Sequence, residues 1–240
     1  MKFALDAGSD VGQRAARILL GDRRCELLVM LNSGWRPQDS RVARSRDLAG
    51  VDVLLSDGTT PLNNLIGLGS VAGLPLVVWS DAPASDFGPA SIPVIVGANL
   101  GSTLADALLS HPVSRPEEGD TVTVAWTEPG KPRRSGTGIA FPQPIGMTWA
   151  TQRRKGYFVV HREDEWAGAT TTVDGPQGRR TVGVADHGAH LEAVTLVAVA
   201  FVAAEGAFAS GIQSTAVARA AILKEARNLE LDIAVWRSHS

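Results

Sequence analysis

The sequence has little of what marks disulfide-rich, nucleic-acid-binding or membrane proteins. Its 240 residues include one cysteine, Cys25, which excludes an intrachain disulfide framework and suits a reducing compartment. The formal net charge is only −2, so the global electrostatics favour neither a nucleic acid nor a membrane surface as a partner. We therefore predict a cytoplasmic protein that binds neither. Cys25 opens an apolar run, which indicates a small core side chain rather than a nucleophile.

Long apolar runs and familiar catalytic motifs are missing as well. The most apolar stretch, residues 193–204, is well short of the ~20 residues that a membrane span needs, and it predicts a buried helix. Such a helix must be covered all round, either beneath a sheet or in a dimer interface, and we expect a homo-oligomer. The chain has no H-E-x-x-H, C-x-x-C, Walker A or G-x-S-x-G sequence, so serine-nucleophile hydrolysis and P-loop phosphoryl transfer have no support.

Two histidines precede this predicted helix. His187 and His190 follow Asp186 and are three residues apart, and imidazole and carboxylate groups are metal ligands. No third ligand lies nearby in the sequence, and capping of the helix by Asp186 explains the pattern more simply. We therefore predict no metal site.

Short apolar strands alternate with helices over residues 1–111. The predicted strands are 2–6, 25–31, 51–55, 76–79 and 93–96. This alternation predicts an α/β domain with a doubly wound parallel sheet, whose ligands bind at the carboxyl ends of the strands.

The pattern changes after a linker at residues 111–119. Strands are predicted at 121–126, 157–161, 169–173 and 180–185, followed by helices at 192–208 and 215–227. The later strands have no helices between them, which indicates a mixed or antiparallel sheet. We divide the chain into a nucleotide-binding domain, 1–114, and an α+β domain for substrate binding or oligomerisation, 115–240, whose C-terminal helices could pack back on the first domain.

The first fourteen residues, MKFALDAGSDVGQR, predict a strand, a turn with Gly8 and Gly12, and the start of a helix. Helix-initial N–H groups at such a turn can receive the pyrophosphate of a dinucleotide. A second turn, SDGTTP at 56–61, follows the third strand. Either threonine of this turn could cap a helix whose first residue is Pro61.

The order of these segments resembles dihydrodipicolinate reductase and related two-domain, Rossmann-type NAD(P)-dependent dehydrogenases. The resemblance rests on AGSDVG at 7–12, SDGTTP at 56–61, IPVIVGAN at 92–99, and Lys131 followed by SGT at 135–137. It covers nearly the whole chain and implies a Rossmann-like doubly wound sheet followed by an α+β domain.

The resemblance also implies the residues of a site for NADP or NAD and a small anionic substrate. The cofactor would contact Gly8, Ser9, Asp10, Val11, Gly12, Asn32, Ser33, Arg36, Gly58, Thr59, Thr60, Ser80, Asp81 and Asn99. The substrate would contact Arg133, Arg134, Ser135, Gly136 and Thr137, with Lys131 as the catalytic residue, in the cleft between the domains. No acidic residue for a ribose hydroxyl follows the second strand, and Arg36 could meet a 2′-phosphate, which favours NADP.

The sequence departs from this family at two places. In the usual G-x-x-G-x-x-G pattern the first two glycines fall on Asp6 and Ser9, and only Gly12 fits. A carboxylate at position 6 would repel a pyrophosphate. The family's adjacent histidines before the lysine are absent, which leaves Lys131, Glu128 or a residue from elsewhere as proton donor. Two hypotheses follow: an NAD(P)-dependent oxidoreductase, or a non-catalytic binding or regulatory protein that keeps the Rossmann-type cleft without the chemistry.

Overall fold

Two seven-stranded sheets form the framework of the protein. The computed structural model describes residues 1–31, 34–35, 37–45, 47–80 and 90–238. One sheet lies in the unit made of Met1–Asn99 and Glu192–Ala218, and the other in the unit made of Leu100–Leu191 and Arg219–Ser240.

The elements follow one another in this order. The strands are β1 (Lys2–Asp6), β2 (Leu27–Met30), β3 (Val42–Ala43), β4 (Val53–Ser56), β5 (Leu76–Val78), β6 (Pro93–Val96), β7 (Thr121–Pro129), β8 (Thr137–Ala140), β9 (Met147–Arg154), β10 (Tyr157–Arg162), β11 (Trp166–Gly175), β12 (Gly178–His187), β13 (Gly211–Ser214) and β14 (Ala234–Ser238). The helices are α1 (Asp10–Gly21), α2 (Leu62–Ala72), α3 (Ala105–Ala107), α4 (Gly188–Ala204) and α5 (Arg219–Asn228). A π-helical turn, Leu100–Leu104, and 3-10 turns at Leu108–Ser110 and Thr215–Ala218 complete the helical segments.

The first sheet is parallel throughout, in the order β13-β6-β5-β4-β1-β2-β3. Its inner strands are apolar and buried along most of their length, as strands covered on both faces are. This sheet confirms the predicted parallel α/β fold. The sequence pattern did not predict β13, because this edge strand is a half-buried GIQS segment with no apolar run.

The second sheet is mixed, in the order β14-β12-β11-β7-β10-β9-β8. Only β7 and β10 run parallel, and the other neighbours pair antiparallel. The predicted mixed or antiparallel sheet is therefore confirmed. The sequence pattern did not predict β8, a four-residue TGIA segment, or β9, most of whose residues are exposed or half-buried.

Two helix starts differ in how they are capped. Ser9 is the N-cap of α1, and its hydroxyl oxygen accepts from the N–H of Gly12 at 3.3 Å. Pro61 precedes α2 as its N-cap and makes no side-chain capping bond, so the predicted threonine cap with Pro61 as first helical residue is wrong. The threonine hydroxyls of this turn donate to carboxylates instead.

Helix α4 is apolar all round and buried, as predicted for residues 193–204. Within the first unit its Phe201 ring meets Phe3 edge to face, with ring centroids 5.2 Å apart. The guanidinium carbon of Arg24 lies 3.9 Å from the Phe201 ring centroid. None of the described helices is both long and apolar enough to cross a membrane.

Truncation of Phe201 to alanine tests this core contact. We expect Phe201→Ala to lower the free energy of unfolding by about 3–5 kcal/mol, because it leaves a cavity beneath the sheet. Denaturant unfolding measures the change. Val71→Ala is the control: Val71 is 91% exposed, so its truncation should change stability by less than ~0.5 kcal/mol. Equal effects of the two substitutions would contradict the buried position of Phe201.

Candidate functional site

The carboxyl ends of four parallel strands lie side by side at one edge of the first sheet. Strands β1, β4, β5 and β6 end there, and each is followed by a polar turn. Ligands of doubly wound sheets bind at this edge. The sequence-predicted cofactor residues of the described segments lie in these turns or, for Asp10, Val11 and Gly12, at the start of α1.

The carboxylate of Asp57 closes the turn between β1 and α1. Its Oδ2 accepts from the N–H of Gly8 at 2.8 Å, and from the N–H and hydroxyl of Ser9 at 2.6 and 2.7 Å. Its Oδ1 accepts from the N–H and hydroxyl of Thr59 at 3.1 and 2.8 Å. Asp57 is 2% exposed. Its carboxylate accepts from the inner donors of the turn, which are the N–H groups of Gly8 and Ser9.

Both glycines of the turn are required by this close approach. A Cβ at Gly12 would lie 2.4 Å from Asp57 Oδ2 and 2.8 Å from the Cα of Ala7. A Cβ at Gly8 would lie 2.7–2.9 Å from side-chain atoms of Thr59. Gly8 and Gly12 thus allow the loop after β4 to pack directly on the turn after β1.

A second buried carboxylate lies beside the first. Asp6, at the end of β1, is fully buried and accepts from the hydroxyls of Ser56 at 3.1 Å and Thr60 at 2.8 Å. These bonds stabilise a carboxylate that would otherwise be costly to bury. The threonines predicted to contact a cofactor therefore donate their hydroxyl protons to Asp57 and Asp6.

Two helix-initial donors of this turn have no acceptor among the residues that the structure describes. The N–H groups of Asp10 and Val11 donate to no residue of the described segments, whereas the N–H of Gly12 donates to Ser9. The macrodipole of the twelve-residue helix α1 adds partial positive charge at this point. Asp10 is exposed and carries a carboxylate in the first turn, which opposes an anion there.

The remaining predicted cofactor residues divide into two groups. Ser80 and Asn99 lie at the same edge: the Ser80 carbonyl accepts from Gly97 at 3.0 Å, and the Asn99 amide donates to the Trp79 carbonyl at 3.2 Å. Gly58 has a φ of 84°, and a Cβ there would meet Ser80 at 3.6 Å. Four predicted contacts lie outside the described residues: Asn32, Ser33, Arg36 and Asp81.

The predicted substrate residues lie on an exposed connection between β7 and β8 in the second unit. Thr137 is the first residue of β8. The other five are exposed loop residues: Lys131, Arg133, Arg134, Ser135 and Gly136. Gly136 has a φ of 147°, and a Cβ there would lie 2.5 Å from the Ala150 carbonyl oxygen. The roles predicted for these residues stay predictions.

The second unit also contains a hydrogen-bonded polar group around the buried Asp106, which no sequence pattern indicated. Tyr157 donates its hydroxyl proton to Asp106 at 2.9 Å, and Arg219 donates to the other Asp106 oxygen at 2.5 Å. Burial, followed by the neighbouring Asp106 charge, raises the pKa of Tyr157 above its ordinary value. The hydrogen bond holds the phenol in its protonated form.

Two further predictions concern reactive side chains. Cys25 is 1% exposed, and burial raises the pKa of its thiol, so the prediction of a core side chain is confirmed. Within the described ranges, no group of three or more histidine, cysteine, aspartate and glutamate side chains could hold a metal ion.

Comparison with known proteins identifies the fold. No protein-family model matches the sequence, and no curated protein matches it significantly. Among solved structures, the chain is similar to dihydrodipicolinate reductase from Paenisporosarcina sp. TG-14 bound to dipicolinate, with a TM-score of 0.53, 12% identity, and coverage of 90% of this chain and 98% of that one.

Two other solved structures show the same likeness. Homospermidine synthase from Legionella pneumophila in complex with NAD gives a TM-score of 0.61 at 8% identity, covering 99% of this chain and 91% of that one. DAP dehydrogenase from C. glutamicum in complex with DAP gives 0.54 at 12% identity, covering 90% and 93%. The chain therefore shares the fold of these three structures, and its parallel sheet is Rossmann-like, which confirms the resemblance at the level of fold.

Substitution of Gly12 tests the closed turn. We expect Gly12→Ala to lower the free energy of unfolding by about 1–3 kcal/mol, because the new methyl group must displace Asp57 or Ala7. Gly21→Ala, in the same helix with nothing within 4 Å of the added atom, should leave stability unchanged or slightly higher. Urea unfolding compares the two. A Gly12→Ala protein as stable as Gly21→Ala would show that Asp57 does not close the turn.

Tyr157 is the only tyrosine in the chain, so the phenolate absorbance at 295 nm reports it alone. We expect its titration midpoint to lie above that of the urea-unfolded chain, and Asp106→Asn to bring the two closer. Because the folded pKa is raised, this contribution to stability is complete below pH ~10 and is lost as the pH rises through the folded value. Identical midpoints in folded and unfolded chains would contradict the Tyr157–Asp106 hydrogen bond.

Proposed function

We propose that the protein is an NAD(P)-dependent oxidoreductase that acts on a small anionic substrate. The observation that carries the proposal is the β1–α1 turn, where the N–H groups of Asp10 and Val11 point from a helix start at the ligand-binding edge and have no described acceptor. Such donors suit a pyrophosphate. The similarity in fold to homospermidine synthase in complex with NAD and to an engineered D-amino acid dehydrogenase bound to NADP+ supports the same assignment.

The residues present fit a dinucleotide in part. Asp10 and Val11 would receive the pyrophosphate, whereas the donors of Gly8 and Ser9 are engaged by Asp57. When bound, a nicotinamide supplies or accepts a hydride. Our prediction that NADP is preferred over NAD belongs to this proposal, as do the exposed loop of Lys131 and Ser135 as a substrate-binding segment and a homo-oligomeric state.

A second candidate is favoured by the charge of the turn. Asp6, Asp10 and Asp57 place three carboxylates around it, two of them buried. Each would repel a pyrophosphate. This observation favours a non-catalytic binding or regulatory protein that keeps the Rossmann-like fold and its ligand-binding edge. The two candidates differ in whether a nicotinamide dinucleotide binds at all.

Titration with NADPH and NADH, followed by nicotinamide fluorescence, separates the candidates. Asp10→Ala removes a charge and keeps the N–H, so we expect a few-fold higher cofactor affinity. Asp10→Pro also removes the N–H. Proline is accepted at the first helical position, and Ser9 has the extended backbone that a residue before proline needs. Loss of a hydrogen bond to a charged phosphate should make Asp10→Pro bind about 10-fold or more weakly than Asp10→Ala.

The variants make each outcome informative. If neither the wild type nor Asp10→Ala binds either cofactor at millimolar concentration, the oxidoreductase proposal is wrong. Equal affinities of Asp10→Ala and Asp10→Pro would place the pyrophosphate away from this turn. Cofactor binding without turnover of any 2-keto or imino acid favours the regulatory candidate. Dipicolinate, the dicarboxylate in the Paenisporosarcina reductase structure, serves as a test ligand for the substrate.

A further inference from the structure

Trp79 follows β5 at the edge of the first sheet where β1, β4, β5 and β6 end. Its backbone is fixed on both sides: its N–H donates to the Ser56 carbonyl at 3.0 Å, and its carbonyl accepts from the side-chain amide of Asn99 at 3.2 Å. The Trp79 side chain is half-buried. A large aromatic ring therefore lies at the edge where ligands of doubly wound sheets bind.

The orientation of this indole is set by a carboxylate on α4. Nε1 of Trp79 donates to Oε2 of Glu192 at 2.9 Å, and both residues belong to the first unit. The following residues of α4, 193–204, include no charged side chain. Glu192 is thus a carboxylate at the start of an apolar helix segment, and its hydrogen bond satisfies the indole N–H and holds the ring in place.

The loop after β4 places no side chain over this ring. Gly58 is exposed, and a Cβ added there would lie 3.6 Å from Cε3 of Trp79 and 3.6 Å from the Cβ of Ser80. Any larger residue at position 58 would therefore rest on the six-membered part of the indole. Because position 58 is glycine, that part of the ring can meet a ligand.

The charge of this edge favours a cation at the ring. Asp6 and Asp57 are buried carboxylates at the ends of β1 and β4, and Glu192 adds another beside the indole. Carboxylates oppose a phosphate, but they attract a positive charge. The face of an indole attracts cations as well, and more strongly than the rings of tyrosine or phenylalanine do.

We propose that Trp79 stacks against the nicotinamide ring of the cofactor and favours its oxidised form. The inference rests on the proposed function, which supplies the nicotinamide. The oxidised ring is a planar pyridinium cation, whereas the reduced dihydropyridine ring is neutral. Stacking contributes to the binding of both rings, and the cation–π interaction adds to the affinity of the oxidised ring alone. By linkage, Trp79 shifts the equilibrium between the two bound forms toward the oxidised cofactor.

Two small ring compounds test this contact without the pyrophosphate. 1-Methylnicotinamide is a pyridinium cation, and nicotinamide is its neutral counterpart. The chain contains six tryptophans, whose indole N–H signals are followed by NMR and assigned with Trp79→Phe and Trp149→Phe. We expect 1-methylnicotinamide to shift the Trp79 signal with saturation at millimolar concentration, and nicotinamide to bind about 5-fold more weakly.

Trp149 is the control in the same spectra. It lies on β9 in the second unit and is 47% exposed, so its signal reports non-specific stacking on an accessible indole. A Trp79 shift no larger than that of Trp149, or equal affinities for the charged and the neutral ring, would overturn the proposal. The titration is carried out on the wild-type chain, so its result does not depend on the folding of a variant.

Dinucleotide affinities test the same contact in the complete cofactor. We expect Trp79→Leu to weaken the binding of NADP+ and NAD+ about 5-fold more than the binding of NADPH and NADH, because leucine provides no cation–π interaction. Isothermal titration calorimetry measures the affinities. Trp149→Leu is the matched control and should leave the ratio of oxidised to reduced affinity unchanged. A purely structural Trp79 would affect both forms alike, so an unchanged ratio in Trp79→Leu would contradict the preference for the oxidised ring.

Failure of this contact and failure of the proposed oxidoreductase give different results. If 1-methylnicotinamide shifts the Trp79 signal selectively but no dinucleotide binds, Trp79 is a contact for a planar cation, while the oxidoreductase proposal and the nicotinamide assigned to this ring are wrong. If the dinucleotides bind with the same ratio in the wild type and Trp79→Leu, the oxidoreductase proposal stands and the role of Trp79 is wrong.

Discussion

The edge of the first sheet at which β1 and β4 end depends on one buried carboxylate, that of Asp57. It accepts five hydrogen bonds, three from the turn after β1 and two from its own loop. A carboxylate can be buried only when its oxygens are satisfied in this way. The two loops are therefore fixed as one structure, and Gly8 and Gly12 are needed because side chains there would separate them.

This constraint also decides how an anion can approach the helix start. The N–H groups of Gly8 and Ser9 donate to Asp57. The N–H groups of this turn that have no acceptor among the described residues are those of Asp10 and Val11. The nearby carboxylates oppose a second negative charge. Any dinucleotide affinity must come from the two outer donors, the helix dipole and contacts along the rest of the edge. The Asp57 hydrogen bonds thus hold the turn and the loop after β4 together, and they leave few N–H groups of the turn for an anion.

Much of the fold could be predicted from the sequence, and less of the site. Strands β1 and β6 were predicted with their observed ends, because each is a short buried apolar run. Edge strands such as β8 and β13 have no such run. The threonine cap was wrong because buried carboxylates compete for the same hydroxyls. The sequence offers Glu128 as a proton donor but does not place it beside His161, because the register of β7 and β10 joins residues far apart in the chain.

The sequence by itself determined which segments are buried and which turns contain glycine, because apolar periodicity and backbone freedom are local properties. It thereby determined the parallel and mixed sheets and the buried helix α4. Only the tertiary structure decided which polar groups meet. Asp57 reaches the turn after β1, and His161 reaches Glu128, through strand order and register. Those pairings depend on the burial of the whole sheet, and no local pattern encodes them.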